Sequence, residues 1–268
     1  MRLLFVFAVL FTSCKTYLKL QTLTPSANRV TGSSFYKTAA GFDWKQRDSF
    51  VVKEVLSGNM PQFQKLFVPV TISVLDSVTG RKNEVTFYVM PDYLSVGSDE
   101  DWVRVPVTPM AAQRIADSLH YMLPTTKMVD AIYGAAVITP EPVPMYAFRD
   151  STPTMYHHHL IIEGQRKGRR GLIAGIKKDV VVAGKILREG KSDRVAIYGW
   201  HKTDGKPIQP LYTGHVRWYV DYSHGIRLVM RRMKVNGKWM QYEEVVNNPA
   251  LKKLFSDEEW WGDYRYSY

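Results

Sequence analysis

Three histidines, His201, His215 and His224, fall within residues 175–227 together with Asp179, Asp221, Tyr222, Ser223 and Arg227. Imidazole titrates near neutral pH, so such a group suits proton transfer or metal binding. Asp179 or Asp221 would orient an imidazole, and Arg227 would hold a carboxylate or an oxyanion. Three chemistries are open. A Ser-His-Asp hydrolase would use Ser223; neighbours on a strand point to opposite faces, so His201 or His215, not His224, would be its base. A metal hydrolase would gather His201, His215 and His224, with Asp221 or Asp179, around an ion such as zinc, although no HExxH or other compact ligand motif is present. An acid–base elimination on an acidic glycan, as in a polysaccharide lyase, would use Tyr222, His224 and Arg227.

Two further groups stand out. In Tyr156-His157-His158-His159, a strand would put His157 and His159 on one face, at a spacing able to hold one ion. An exposed polar strand edge is the simpler expectation. The run Arg166-Lys167-Gly168-Arg169-Arg170 reads as a basic turn that could touch an anionic polymer or phospholipid.

The elements that must position these residues are mostly strands. Phe67–Leu75 and Glu84–Met90 are β-branched and alternating, and the Asp76, Ser77, Gly80 and Asn83 turn between them predicts a hairpin. Short strands are expected at 92–97 and 102–107. A helical pair follows around 108–135: Thr108-Pro109 is a cap with proline at the first helical position, and Thr125-Thr126 can cap the second helix after Pro124. The proline-rich stretch 139–144 is the candidate boundary between halves. Beyond it, strands are expected at 160–162, 171–174, 179–182, 195–198, 216–221 and 226–230. Asn236-Gly237 between Arg232–Val235 and Lys238–Tyr242 signals a type I′ hairpin, and Asn248-Pro249 a short helix. The class is α+β, mostly antiparallel β with the helical pair inserted. The expected division is 1–13 leader, 14–45 tether, 46–140 β-rich half and 141–268 β-rich half carrying the site, with one continuous domain across both halves as the alternative.

The first residues give the location. Met1-Arg2, the apolar run Leu3–Phe11 and Thr12-Ser13-Cys14 have the parts of a secretory signal, and the run is too short to span a bilayer. Cys14 is the single cysteine, which excludes a disulfide. If it is acylated, no thiol remains for catalysis. The hydrophobic share of 45 % and charged share of 23 % are ordinary for a globular protein. The net charge of +11 suits anionic lipid headgroups or an acidic polymer; for an exported chain nucleic acid is the least expected partner.

Thr12-Ser13-Cys14 resembles a bacterial lipobox, and Phe11 in place of the commoner leucine is similar to Bacteroidetes-type lipoproteins. The resemblance implies lipidation at Cys14 and anchoring to the outer membrane. Lys15 and Lys19, where surface-exported members carry acidic residues, imply the periplasmic face. The segments Lys177–Val181, Tyr198–His201, Pro207–Leu211 and Asp221–Leu228 resemble a group of secreted bacterial proteins sharing KKDVV, YGWH, PIQPL and DYSHGIRL. That likeness implies membership and little mechanism. Ser223-His-Gly-Ile-Arg227 is also similar to the murein L,D-transpeptidase signature, but Ile226 stands where that family has its cysteine, which removes its chemistry. The expectation is a lipid-anchored envelope protein, a hydrolase acting on peptidoglycan or an anionic glycan. The rival is a non-catalytic glycan- or protein-binding lipoprotein using its tryptophans and tyrosines.

Overall fold

The computed structural model describes residues 18–19, 29–76, 80–258 and 264–268. Cys14 and the leader lie outside the described residues, as do Trp260 and Trp261. The fold is α+β with mostly antiparallel sheets. No described helix is long and apolar enough to cross a membrane.

The largest sheet joins β1 (Leu18–Lys19), β2 (Leu66–Leu75), β3 (Lys82–Val89), β6 (Tyr121–Met122), β11 (Val229–Met230), β12 (Arg232–Val235) and β13 (Lys238–Gln241). The expected hairpin is β2–β3, in register Val70↔Phe87 and Ile72↔Val85, and these four side chains are buried on one face. They pack with Met128 and Ile132 of α4 (Thr126–Ala135) and with Leu251 and Leu254. Burial of each such side chain contributes about 1.5–3 kcal/mol. The second expected hairpin is β12–β13, where Asn236 (φ 48°) and Gly237 (φ 82°) both adopt the left-handed backbone of a type I′ turn. Strands β4 (Ser95–Gly97) and β5 (Trp102–Arg104) form a small ribbon. α3 (Pro109–Ser118) starts at Thr108 and α4 at Thr125, each threonine hydroxyl accepting from a first-turn amide, as the sequence predicts.

Several expectations need correction. Residues 31–45, expected to be part of a tether, are folded. Thr31 caps α1 (Gly32–Thr38), and Asp43 opens α2 (Trp44–Leu56) with a reciprocal capping box. Phe35 of α1 is fully buried and stacks on Phe50 of α2 with ring centroids 4.7 Å apart. Residues 160–162 are not a strand but part of α5 (Thr152–Arg166), with Ser151 as its cap and Pro153 in its first turn. The histidine tract therefore lies on a helix, and His157 and His159 do not share a strand face. Residues 166–170 complete the end of this helix, with Lys167 in the left-handed C-cap conformation. Residues 216–221 form a loop with one bridge, at Val216. The boundary at 139–144 does not divide the core, because Phe35, Val103, Ile115, Val180, Ala196 and Tyr222 belong to one cluster.

The site is carried by a second sheet in the order β10-β7-β8-β9: β7 (Lys178–Val180), β8 (Ile197–His201), β9 (Pro207–Tyr212) and β10 (His224–Gly225). β10 pairs with β7 in parallel, His224 beside Lys178 and Gly225 beside Asp179. Gly225 is required here for space. A Cβ at this position would lie 2.5 Å from the Tyr93 ring and 2.6 Å from the Lys177 side chain. α6 (Gly184–Arg188) and α7 (Tyr242–Val246) complete the regular structure with short 3-10 turns.

Candidate active site

Strand alternation divides the expected constellation between the two faces of this sheet. Lys178 and His224 share one face; Lys177 and Asp179 occupy the other.

On the Lys178 face, His224 is fully buried with its ring centroid 6.0 Å from that of His215 and 6.0 Å from that of Tyr219. His215 and Tyr219 lie 4.7 Å apart. Asp221 ties the group together. Its Oδ1 accepts from the Ser223 amide (2.8 Å) and hydroxyl (2.6 Å), and its Oδ2 from Arg149 Nη2 (3.0 Å) and the Tyr219 hydroxyl (3.2 Å). Burial disfavours the Asp221 charge, but His224, the Ser223 hydrogen bonds and Lys178 outweigh it and hold the pKa at about 2. Burial lowers the His224 pKa to about 4, against the pull of Asp221, so its imidazole is neutral at pH 7. His215 is lowered by the same cause, with Asp221 opposing and Lys178 and Arg149 adding to it. Burial, then the Asp221 charge, raises Tyr219 to about 12 and keeps its hydroxyl protonated. The ammonium of Lys178 rests 5.4 Å from the centroid of the Trp200 ring. Two half-exposed groups, His215 and Tyr219, therefore sit over a buried layer of ionised carboxylate, ammonium and imidazole.

Tyr219 also lines a cavity of about 430 Å³ with Trp44, Trp218, Asp43, Arg47 and Asp150. Trp44 stands at the start of α2, just after the Asp43 cap, and Trp218 is 46 % exposed on the loop before Asp221. An aromatic cleft thus opens at Tyr219, whose ring lies against His215; neither histidine lines it.

The other expected residues lie elsewhere. Asp179 accepts from the Tyr93 hydroxyl at 2.9 Å and approaches Arg227 Nε at 3.7 Å, and burial lifts its pKa to about 6. Arg227 is fully buried; it donates to the Met90 and Ile173 carbonyls (2.9 and 2.7 Å) and lies 4.1 Å over the Tyr93 ring. It braces the join between the sheets and has no surface to offer a substrate. The Tyr222 ring packs against His158 and its hydroxyl accepts from the Met145 amide, so it is a packing residue too. The Ser223 hydroxyl is committed to Asp221 rather than to a histidine, and the hydrolase triad is not assembled. His201 turns to Asp130 of α4 (Nε2–Oδ1 2.9 Å) and stacks on Tyr133 at 4.4 Å. The positive φ of Trp200 (54°) and a register shift between Ile197 and Gly199 mark the irregular strand that carries it. The three histidines are thus two and one. Among the described residues no three His, Cys, Asp or Glu side chains are arranged to hold a metal ion, so the zinc arrangement expected of His201, His215 and His224 is not formed.

Sequence reasoning missed Lys178, Tyr219, Arg149, Trp200 and Asp130. The alternation of Lys177-Lys178-Asp179 was the available signal for the first. Asp130 gives none, lying in a helix far along the chain from His201.

Behind the sheet, Lys177 donates to the Tyr222 carbonyl and lies 3.2 Å from Nδ1 of His158. Burial, reinforced by Arg104 and opposed by Asp221 and Asp92, brings its pKa down to about 7. The unfolded chain keeps this proton to about pH 10, while the folded chain sheds it near 7. Between those values the unfolded state binds more protons, so stability rises with pH. Denaturant midpoints should climb from neutral to mildly alkaline pH, and Lys177→Met should flatten that climb; an unchanged slope in the variant would refute the assignment.

No family model, curated protein or solved structure matches the chain.

Proposed function

We propose that this chain is a lipid-anchored protein of the bacterial cell envelope, held by Cys14 on the periplasmic side of the outer membrane, that cleaves a glycan polymer by acid–base chemistry at His215, His224, Asp221 and Tyr219. The observation that supports cleavage is the sharing of Tyr219: its hydroxyl rests on Asp221, and the residue lines the cleft with Trp44 and Trp218. Aromatic faces hold sugar rings, and the neutral His215 stands ready as a base beside them. The lipobox-like Thr12-Ser13-Cys14 and the net charge of +11 support an envelope location and an acidic polymer, peptidoglycan included, over nucleic acid.

The exposed Trp218 also favours a second reading, in which the same cleft binds glycan without cutting it. The mature chain, incubated with purified peptidoglycan and a panel of neutral and acidic glycans, separates the two. Released fragments that disappear with His215→Ala support cleavage. Saturable binding without any product supports the binding module. Neither binding nor product overturns both. Mass spectrometry of Cys14 in the native host tests the anchor, and an unmodified thiol there would remove it.

A further inference from the structure

A second cavity, of about 510 Å³, is lined by none of the residues assigned to cleavage. Phe63, Leu66, Val68, Trp102, Val137 and Leu172 give it apolar walls, and its volume falls in the range of ligand sites, about 300–1,000 Å³. Leu66 and Val137 are 43 % and 60 % exposed, so they stand at its mouth. The basic turn at the end of α5 forms another part of the rim. Arg166 is committed there: it pairs with Asp92 and Glu163 and lies 5.3 Å from the centroids of the Phe63 and Trp102 rings. Arg170 also lines the cavity. It and Lys167 are exposed, and their side chains make no hydrogen bond or ion pair among the described residues. Two acids line the cavity as well. Glu163 is matched by Arg104 and Arg166. Asp99 accepts from the Phe63 amide, and its charge is outnumbered by those of Lys167, Arg169 and Arg170.

The start of the chain is held at this cavity. Backbone pairing sets Lys19 opposite Leu66 and Leu18 opposite Phe67. Cys14 comes four residues before Leu18, a span of at most about 14 Å. An acyl group on Cys14 would therefore enter a bilayer within a short reach of an apolar opening rimmed by cations. Exposed apolar side chains beside basic ones suit a membrane surface, because the first enter the headgroup layer and the second meet its phosphates. We infer that this face lies on the membrane and that the cavity takes an anionic phospholipid, its acyl chain against Phe63, Val68 and Leu172 and its phosphate at the basic turn. The inference rests on the envelope reading above and adds to it a lipid site and an orientation.

The test is vesicle flotation with the mature chain carrying Cys14→Ser, which has no acyl group to bring it to a bilayer. The chain should float with vesicles of phosphatidylglycerol and phosphatidylcholine, and stay behind with phosphatidylcholine alone. Each basic residue at an anionic surface contributes about fivefold in affinity, so Lys167→Gln with Arg170→Gln should weaken binding about 25-fold. Lys82→Gln with Lys238→Gln removes the same charge about 20–30 Å along the β2–β3 hairpin from Leu66, and should leave binding nearly unchanged. Leu66→Ser with Val137→Ser should weaken binding severalfold at unchanged charge, and an undiminished affinity there would overturn the apolar contact. Equal losses from the two charge pairs would mean adsorption by net charge and would overturn the face. So would a chain that does not float with anionic vesicles, or one that binds inorganic phosphate in calorimetry but no vesicle. The anchor is judged separately, by the mass of Cys14. An acylated cysteine with any of these failures would leave the anchor standing without the lipid site. An unmodified one with the expected flotation would remove the anchor and keep the face.

Discussion

Substituting alanine for His215 should lower glycan cleavage about 10²–10⁴-fold, the range that a positioned general base contributes, with little change in folding. The second half follows from position: His215 is half-exposed, and its ring contacts are Tyr212, Tyr219 and His224. The first follows from its being the accessible imidazole of the pair, since His224 is sealed beneath it. The pH profile gives an independent readout. Burial lowers the His215 pKa below 6.5, so the base form persists into mild acid. The acid limb of the rate should fall below that value, and a limb at or above it would contradict the role. Asp221 stays ionised to about pH 2 and does not contribute to that limb. An alanine variant with wild-type rates would dismiss His215 as the base.

Replacing Arg227 by alanine should cost about 3–5 kcal/mol of stability, the range for breaking a buried ion pair. Its guanidinium serves the Met90 carbonyl from β3's end, the Ile173 carbonyl from a loop, Asp179 from β7 and the face of Tyr93. Removal would leave two buried carbonyls without that donor and deprive the buried Asp179 of its counter-charge. Lysine would not restore the arrangement, because a single ammonium cannot reproduce the fork that meets both carbonyls. Denaturant unfolding of Arg227→Ala and Arg227→Lys checks this. A loss under about 1 kcal/mol in both would refute the bracing role, since that is the scale of an ordinary hydrogen bond.

The parts of the molecule legible in sequence are those where local chemistry and tertiary packing agree. Thr108 and Thr125 cap helices, Asn236-Gly237 turns a hairpin, and the alternation through Val70, Ile72, Val85 and Phe87 marks one buried face. α5 was illegible for a definite reason. Its buried positions Thr152, Met155, His158, His159, Ile162 and Arg166 keep helical spacing, but four of the six are polar, so no apolar stripe is visible. The burial of the polar ones depends on partners distant in sequence: His159 packs against Trp102, and Arg166 meets Asp92. Likewise Phe35 and Tyr36 sit in a stretch of serines, glycines and threonines that reads as linker until α2 is brought against them. For the site, sequence reasoning named His215, His224 and Asp221. It could not separate them from Asp179 and Arg227, because closeness in sequence does not tell which face of a sheet a residue joins.

Lys177, Lys178 and Asp179 point alternately to the core, the site and the core, and two neighbouring strands fix their register. A slip of one residue would exchange the groups on the two faces, so heritable variation has little room in this strand. New substrate preferences would have to arise at the start of α2 and in the loop 216–221, which carry Trp44 and Trp218, where aromatics can be exchanged without disturbing the brace. Diversity among descendants of such a protein would gather at the rim of the cleft, over a floor that selection holds still.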